Sequence, residues 1–193
     1  MTTIYLARHG ESDWNAANRF QGHSDRPLTD LGREQARGLA DLVAAENVEA
    51  IYASPLSRAL ETARIVAART GLGVVVDEGL REVDTGSWSG LSRAEVRERY
   101  PEGFQRWITG GAGWEDGESY EEMAERVLAA VNRIAAAHPG GRVLLVSHGG
   151  PIRAIQAASD GMAISEYRRL RPVEPNARLS AVAVGDDGLR LPR

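Results

Sequence analysis

Two short apolar runs, each breaking off at a histidine followed by glycine, constrain this chain more than any other feature. Thr3 to Ala7 stops at Arg8-His9-Gly10, and Arg142 to Ser147, with Val143-Leu144-Leu145-Val146 at its centre, stops at His148-Gly149-Gly150. Apolar runs of this length suit strands buried on both faces, and such strands need helices above and below the sheet. Ala50 to Ala53 and Val74-Val75-Val76 read as further strands of the same kind.

The intervening segments supply the helices. From Asp30 to Glu46, Ala36, Leu39, Ala40 and Val43 recur at helical spacing, with Arg33, Glu34, Arg37 and Asp41 on the other faces. A second helix is expected from Pro55 to about Arg69, with Ser54 offering the capping oxygen and Pro55 at the first helical position. Ser92-Arg93-Ala94-Glu95 and Ser119-Tyr120-Glu121-Glu122 have the form of capping boxes, so helices should begin at both. The second is long, with a stripe of Met123, Val127, Val131 and Ile134 that ends near His138-Pro139-Gly140-Gly141. Another helix should start near Pro151, and Leu179 to Val184 with Leu189 to Leu191 would form a hairpin across Gly185-Asp186-Asp187-Gly188.

Strands alternating with helices predict an α/β fold, a three-layer α/β/α sandwich around a mostly parallel central sheet. At 193 residues, 42% of them hydrophobic, the chain suits one domain over residues 1–193. Asp77 to Gly90 reads as a loop, and Glu102 to Gly117, rich in Gly and Trp, as a loop or small cap over the sheet edge. The net charge of -4 argues against a nucleic-acid partner. The absence of cysteine excludes a disulfide framework, a thiolate metal site and a Cys nucleophile. No apolar stretch approaches the roughly 20 residues of a membrane span, so a soluble, cytoplasmic protein without a membrane partner is expected. Oligomeric state stays open, a homodimer being one option.

In sheets of this kind ligands bind beyond the C-terminal ends of the strands. The polar residues there are Arg8, His9, Glu11, Ser12 and Asn15 after the first strand, Ser54 and Arg58 after the second, Arg81 and Glu82 after the third, and His148 and Gly149 after Val146. Two histidines, at least two arginines and a glutamate should therefore converge. Guanidinium forks suit phosphate oxygens, and backbone amides at Gly10 or Gly149 can approach an anion closely. A small-molecule phosphate ester is the natural ligand. His23 and His138 read as surface residues, and Trp14, Trp88, Trp107 and Trp114 as packing anchors.

Leu6-Ala7-Arg8-His9-Gly10-Glu11-Ser12-Asp13-Trp14-Asn15 resembles the RHG signature of the histidine phosphatase superfamily, also called phosphoglycerate mutase-like. Later blocks match in order: Ser54 to Ala63, then Leu80-Arg81-Glu82 with Gly86-Ser87-Trp88-Ser89-Gly90, then Ser147-His148-Gly149. The resemblance spans nearly the whole chain and implies the phosphoglycerate mutase-like fold. It maps the phosphorylated histidine onto His9, the holders of the phosphoryl oxygens onto Arg8, Arg58 and His148, and the proton donor onto Glu82. Asn15 corresponds to a further phosphate-pocket position, with Gly149, Ser12 and Gln21 near the substrate.

The chemistry is consistent with this mapping. A neutral imidazole is nucleophilic at pH 7 when its other nitrogen donates to a carbonyl, and clustered cations neutralise charge on a transferring phosphoryl group. No metal or other cofactor is required. A zinc-deaminase reading of His9-Gly10-Glu11 fails for want of a Cys-x-x-Cys pair, and a three-histidine metal site would lack the carboxylates of two-metal phosphoesterases.

A metal-independent phosphomonoesterase of broad specificity is therefore expected. The alternatives are a phosphoglycerate mutase and, third, a non-catalytic phosphate-binding protein. Mutases of the family carry Arg, Tyr and Lys around the acid that help hold a substrate carboxylate. Here the block reads Arg81-Glu82-Val83-Asp84-Thr85-Gly86-Ser87-Trp88-Ser89-Gly90-Leu91-Ser92, without those cations, which favours hydrolysis.

Overall fold

The computed structural model describes residues 1–185 and 188–190. In chain order the elements are β1 (Thr2–Arg8), α1 (Asp13–Ala16), α2 (Asp30–Ala45), β2 (Ala50–Ala53), α3 (Ser57–Thr70), β3 (Val74–Val76), α4 (Arg93–Arg99), α5 (Pro101–Ile108), α6 (Tyr120–Ala137), β4 (Arg142–Ser147), α7 (Gly149–Ser159), α8 (Ile164–Leu170), β5 (Leu179–Gly185) and β6 (Gly188–Arg190). The six strands form one sheet in the order β3-β2-β4-β1-β5-β6. The first four are mutually parallel, while β5 runs antiparallel to β1 and β6 to β5.

Alternation along β1 shows how both faces of the sheet are covered. Ile4 and Leu6 point into a core shared with Met123, Val127, Val131 and Ile134 of α6 and Ile152 and Ile155 of α7. Tyr5 and Ala7 point the other way, against Leu39 and Val43 of α2 and Ala63 and Val66 of α3. Helices on both sides of a mostly parallel sheet make the three-layer α/β/α sandwich that the pattern predicted. Both capping boxes form, at Ser92 with Glu95 and at Ser119 with Glu122.

Several local expectations are corrected. The helix read as starting at Pro55 starts at Ser57, and its cap residue is Leu56, which makes no side-chain capping bond. Ser54 is drawn instead to His148. Within the expected loop from Asp77 to Gly90, Glu78–Leu80 and Gly86–Trp88 form single 3₁₀ turns. The first part of the segment read as a loop or small cap from Glu102 to Gly117 is helix α5, whose start at Pro101 uses proline where no intrahelical N–H is needed, while residues 109–117 are turns and irregular chain. The last helix of the parallel unit begins at Gly149 rather than near Pro151. The C-terminal hairpin pairs Ala183 with Arg190 and Gly185 with Gly188, while Asp186, Asp187 and Leu191 of that expectation lie outside the described residues.

Candidate active site

Register sets the site. β4 lies between β1 and β2, with Arg8 opposite Ser147 and Ala53 opposite Val146, so three strands end level with one another. The residues just past those ends are His9, His148 and Ser54. The His9 amide donates to the Ser147 carbonyl at 3.0 Å and the Ser54 amide to Val146 at 3.0 Å. The two imidazoles stand edge to face, centroids 5.1 Å apart, and both are buried.

His9 Nδ1 donates to the Gly10 carbonyl at 2.6 Å, which leaves Nε2 with its lone pair. Burial, reinforced by the positive charges of Arg58 and Arg8, holds the His9 pKa well below the ordinary 6.5, so the ring is neutral. Burial, then Arg58, His9 and Arg8, do the same to His148. His148 Nε2 lies 2.7 Å from Ser54 Oγ, which accepts from the Leu56 amide at 3.3 Å, while His148 Nδ1 is buried without a partner among the described residues. The arrangement that satisfies all of these is Leu56 N–H to Ser54 Oγ, Ser54 O–H to His148 Nε2, and an Nδ1–H left over as donor.

Arg58, in the first turn of α3, is fully buried and anchored by donation to the carbonyls of Ser24 (2.7 Å) and Gly22 (2.9 Å). Desolvation pulls its pKa down to about 10. Arg8 donates to the Glu174 carbonyl at 2.7 Å and is likewise lowered by burial. The Nε of each has no acceptor among the described residues. Buried guanidiniums with spare donors beside two neutral imidazoles make a cradle for an anion.

Glu82 faces this cradle from the loop after β3. Its Oε1 accepts from the Gly150 amide at 3.1 Å and the Val83 amide at 3.0 Å. Gly150 must be glycine for this approach, because a Cβ there would stand 2.4 Å from Glu82 Oε1. The Glu82 carbonyl is clamped by His23 Nε2 at 2.7 Å and by Arg126 at 2.8 Å. Arg126 also holds the carbonyls of Gly79 and Arg81 and pairs with Glu118 at 2.6 Å.

A cavity of about 180 Å³ reaches two of these groups, Arg8 and Glu82, and is lined also by Asn15, Gln21 and Gly149, while the buried His9, His148 and Arg58 lie beneath its wall. It shares Arg8, Asn15, Arg19, Phe20, Trp107 and Val173 with an outer cleft of about 390 Å³.

Most of the expected site residues thus come together, with exceptions. Ser12 is fully buried and caps α1; its hydroxyl reaches Gln21 Oε1 at 2.7 Å, so it supports Asn15 and Gln21 rather than lining the cavity. Asn15 Oδ1 is held by the Ser12 amide at 3.1 Å, leaving its Nδ2 donors for the cavity. The Gly10 amide is not free for an anion, since it donates to Thr62 Oγ1 at 3.0 Å; Gly10 is required because a Cβ would meet the Gly32 carbonyl at 2.2 Å. Arg81 pairs with Glu78 at 3.2 Å, and Glu11 accepts from Thr29 at 2.9 Å.

His23 and His138 are partly buried rather than surface residues, the latter 3.0 Å from the Tyr52 hydroxyl. Trp88 and Trp114 are core anchors, whereas Trp107 lines the cavity and Trp14 the outer cleft. Sequence reasoning missed His23, Arg126 and the segment from Val173 to Asn176, whose Asn176 Nδ2 donates to the His9 carbonyl at 2.9 Å. None of these carries a local signal, because each acts through main-chain carbonyls of distant residues.

A sequence description of the histidine phosphatase superfamily (branch 1) matches residues 4–193, and the chain belongs to that family. By class it is an enzyme of the phosphoric monoester hydrolase kind. It is 36% identical to phosphoserine phosphatase 1 of Hydrogenobacter thermophilus, covering 86% of this chain and 80% of the relative. It is 38% identical to a protein of Enterobacter sp. named probable phosphoglycerate mutase GpmB, covering 89% and 80%. Among solved structures, a mycobacterial glucosyl-3-phosphoglycerate phosphatase superposes with a TM-score of 0.88 at 32% identity, over 97% of this chain and 95% of that one. Among the described residues no helix is long and apolar enough to cross a membrane.

Proposed function

We propose that the protein hydrolyses small phosphate monoesters through a phosphohistidine on His9. The observation that carries this reading is a neutral, tautomer-locked imidazole set among buried arginines whose charge it does not share. A phosphoryl group resting between Arg8, Arg58 and the His148 Nδ1–H would have its negative charge met by donors already in place, without reorganisation.

His9 Nε2 attacks phosphorus, forming the N–P bond as the ester P–O bond breaks. Glu82, carrying the proton, passes it to the departing alkoxide. As a carboxylate it then takes a proton from water, whose oxygen attacks the phosphohistidine, releasing inorganic phosphate and restoring His9. Asn15, Gln21 and the Gly149 amide line the place where the ester's oxygens would sit.

Similarity to the GpmB relative supports a second reading, return of the phosphoryl group to another hydroxyl. The absence of the mutase cations from Arg81 to Ser92 favours water as acceptor. Quenching the enzyme in alkali during turnover of p-nitrophenyl phosphate should trap an acid-labile, base-stable adduct that a His9→Ala variant lacks. No adduct on the wild type would overturn the mechanism. Rapid interconversion of 3- and 2-phosphoglycerate with a bisphosphoglycerate primer, without free phosphate, would establish the mutase.

A further inference from the structure

The cavity holds more positive charge than a single phosphoryl group needs. Beyond Arg8, its wall contains Arg153 and Arg168, as well as Arg19, which is paired with Glu95 at 3.1 Å; among the described residues Glu82 is the acidic residue lining it. The Glu82 carboxylate already accepts from the amides of Gly150 and Val83.

Arg153 and Arg168 are built into the wall rather than draped over it. Arg153, one turn into α7, donates through Nη2 to the carbonyls of Arg168 (2.9 Å) and Arg171 (2.8 Å). Arg168, on α8, donates through Nη1 to the carbonyls of Gly110 and Gly111, and its guanidinium carbon lies 3.3 Å from the centre of the buried Tyr120 ring. Backbone carbonyls thus fix one edge of each fork and an aromatic face supports one of them. The Nε of both is buried with no acceptor among the described residues.

Burial lowers the pKa of each, and both feel the charge of Glu82. Among the described residues the acceptors of both are backbone carbonyls and not carboxylates, and a desolvated, pre-oriented guanidinium in that state is suited to an anion from outside. Arg153 lies three residues beyond Gly150, roughly 5 Å along the helix axis, so this charge sits on the Glu82 side of the cavity. That is the side on which the leaving oxygen must lie if Glu82 protonates it.

We propose that Arg153 and Arg168 form a second anion subsite, so that the preferred substrates are phosphomonoesters whose leaving group itself carries a carboxylate or a second phosphate. The proposal rests on the phosphatase reading above. These cations come from α7 and α8, a different part of the chain from the Arg81 to Ser92 block.

The test compares kcat/KM within matched pairs. For carboxylate the pair is 3-phosphoglycerate and glycerol 3-phosphate; for phosphate it is 1,3-propanediol bisphosphate and its monophosphate. The wild type should favour the doubly anionic member of at least one pair by roughly 10- to 100-fold, the worth of a charge-assisted hydrogen bond. The pair that shows the preference identifies the anion. In R153Q and R168Q that ratio should fall toward one, and R153K should retain part of it. The ratio is internal to each variant, so a partly unfolded preparation does not disturb it.

Equal rates within both pairs for the wild type, or a preference that survives both substitutions, would overturn the subsite. Turnover of p-nitrophenyl phosphate separates the two levels. If the wild type does not hydrolyse it, the phosphatase reading itself fails; if it does so without discriminating within the pairs, only the subsite fails.

Discussion

Gly150 is the most informative single position for the proposed mechanism, because a methyl group there strikes the putting-in-place of one carboxylate and little else. A Cβ at Gly150 would stand 2.4 Å from Glu82 Oε1, whereas ordinary contact begins at 3.4 Å, so the oxygen must retreat by about 1 Å. The colliding atom is the free end of a flexible side chain, and the nearby Met123 Sδ at 2.9 Å, though buried, belongs to an unbranched side chain that can shift by a few tenths of an ångström, so the fold should survive. Alanine in place of glycine within a helix recovers up to about 1 kcal/mol, which for a domain of this size is worth about 2–4 °C in Tm.

The carboxylate, by contrast, loses the 3.1 Å bond from the Gly150 amide and its alignment with the leaving oxygen. A misplacement of this size costs on the order of 10²-fold, within the 10² to 10⁴ that a positioned general acid contributes. For Gly150→Ala we therefore expect kcat on an alkyl phosphate such as glycerol 3-phosphate to fall about 100-fold. On p-nitrophenyl phosphate, whose phenolate departs without a proton, the loss should stay below about tenfold. Parallel steady-state assays with a thermal melt measure all three quantities. Equal losses on both esters, with Tm not lowered, would refute the assignment of Glu82 as proton donor.

Two further outcomes follow from the buried histidines. Since His9 and His148 are held well below 6.5, the unfolded chain binds protons below that pH which the folded chain refuses. Their contribution to stability is complete above pH 6.5 and declines as the pH falls beneath it, by up to about 1.4 kcal/mol per pH unit for each ring. Urea titrations between pH 7 and 5 should show this slope reduced in a His9→Gln variant; an identical slope would count against the neutral imidazole. The acid limb of kcat/KM should correspondingly lie below pH 6.5. Ser54→Ala, which removes the hydroxyl that sets the His148 tautomer, should lower kcat/KM roughly 3- to 10-fold without unfolding the protein, the usual net worth of one hydrogen bond. Unchanged kinetics would dismiss the relay.

The parts of the structure legible in the sequence are those governed by long or repeated patterns. β1 and β4 stood out because both faces are buried, α2 and α6 because their apolar stripes run over several turns, and α4 and α6 because their boxes cap them. α5 and α8, of eight and seven residues, are too short to display a period, and the Gly and Trp around α5 disguised it as irregular chain. Ser54 was misread for a different reason. Ser-Pro before a helix has the form of a cap, but the hydroxyl does better against a buried imidazole that is remote in sequence and adjacent in space.

The same limit explains the site. His9, Arg8, Arg58, Glu82 and His148 follow strand ends and carry the family's motifs, whereas Arg126, His23, Arg153 and Arg168 act through carbonyls or cavity walls that no local pattern encodes.

The position of β4 between β1 and β2 has a consequence for how the protein comes into being. A nascent chain that has reached residue 140 already contains the segments of both flanking strands, yet these never bond to each other; in the finished sheet they stand two strand spacings apart, roughly 9.5 Å. The ribosome must therefore deliver most of the polypeptide before the gap can close. His148 rides on the segment that closes it, so completion of the sheet and assembly of the two-histidine floor are one event.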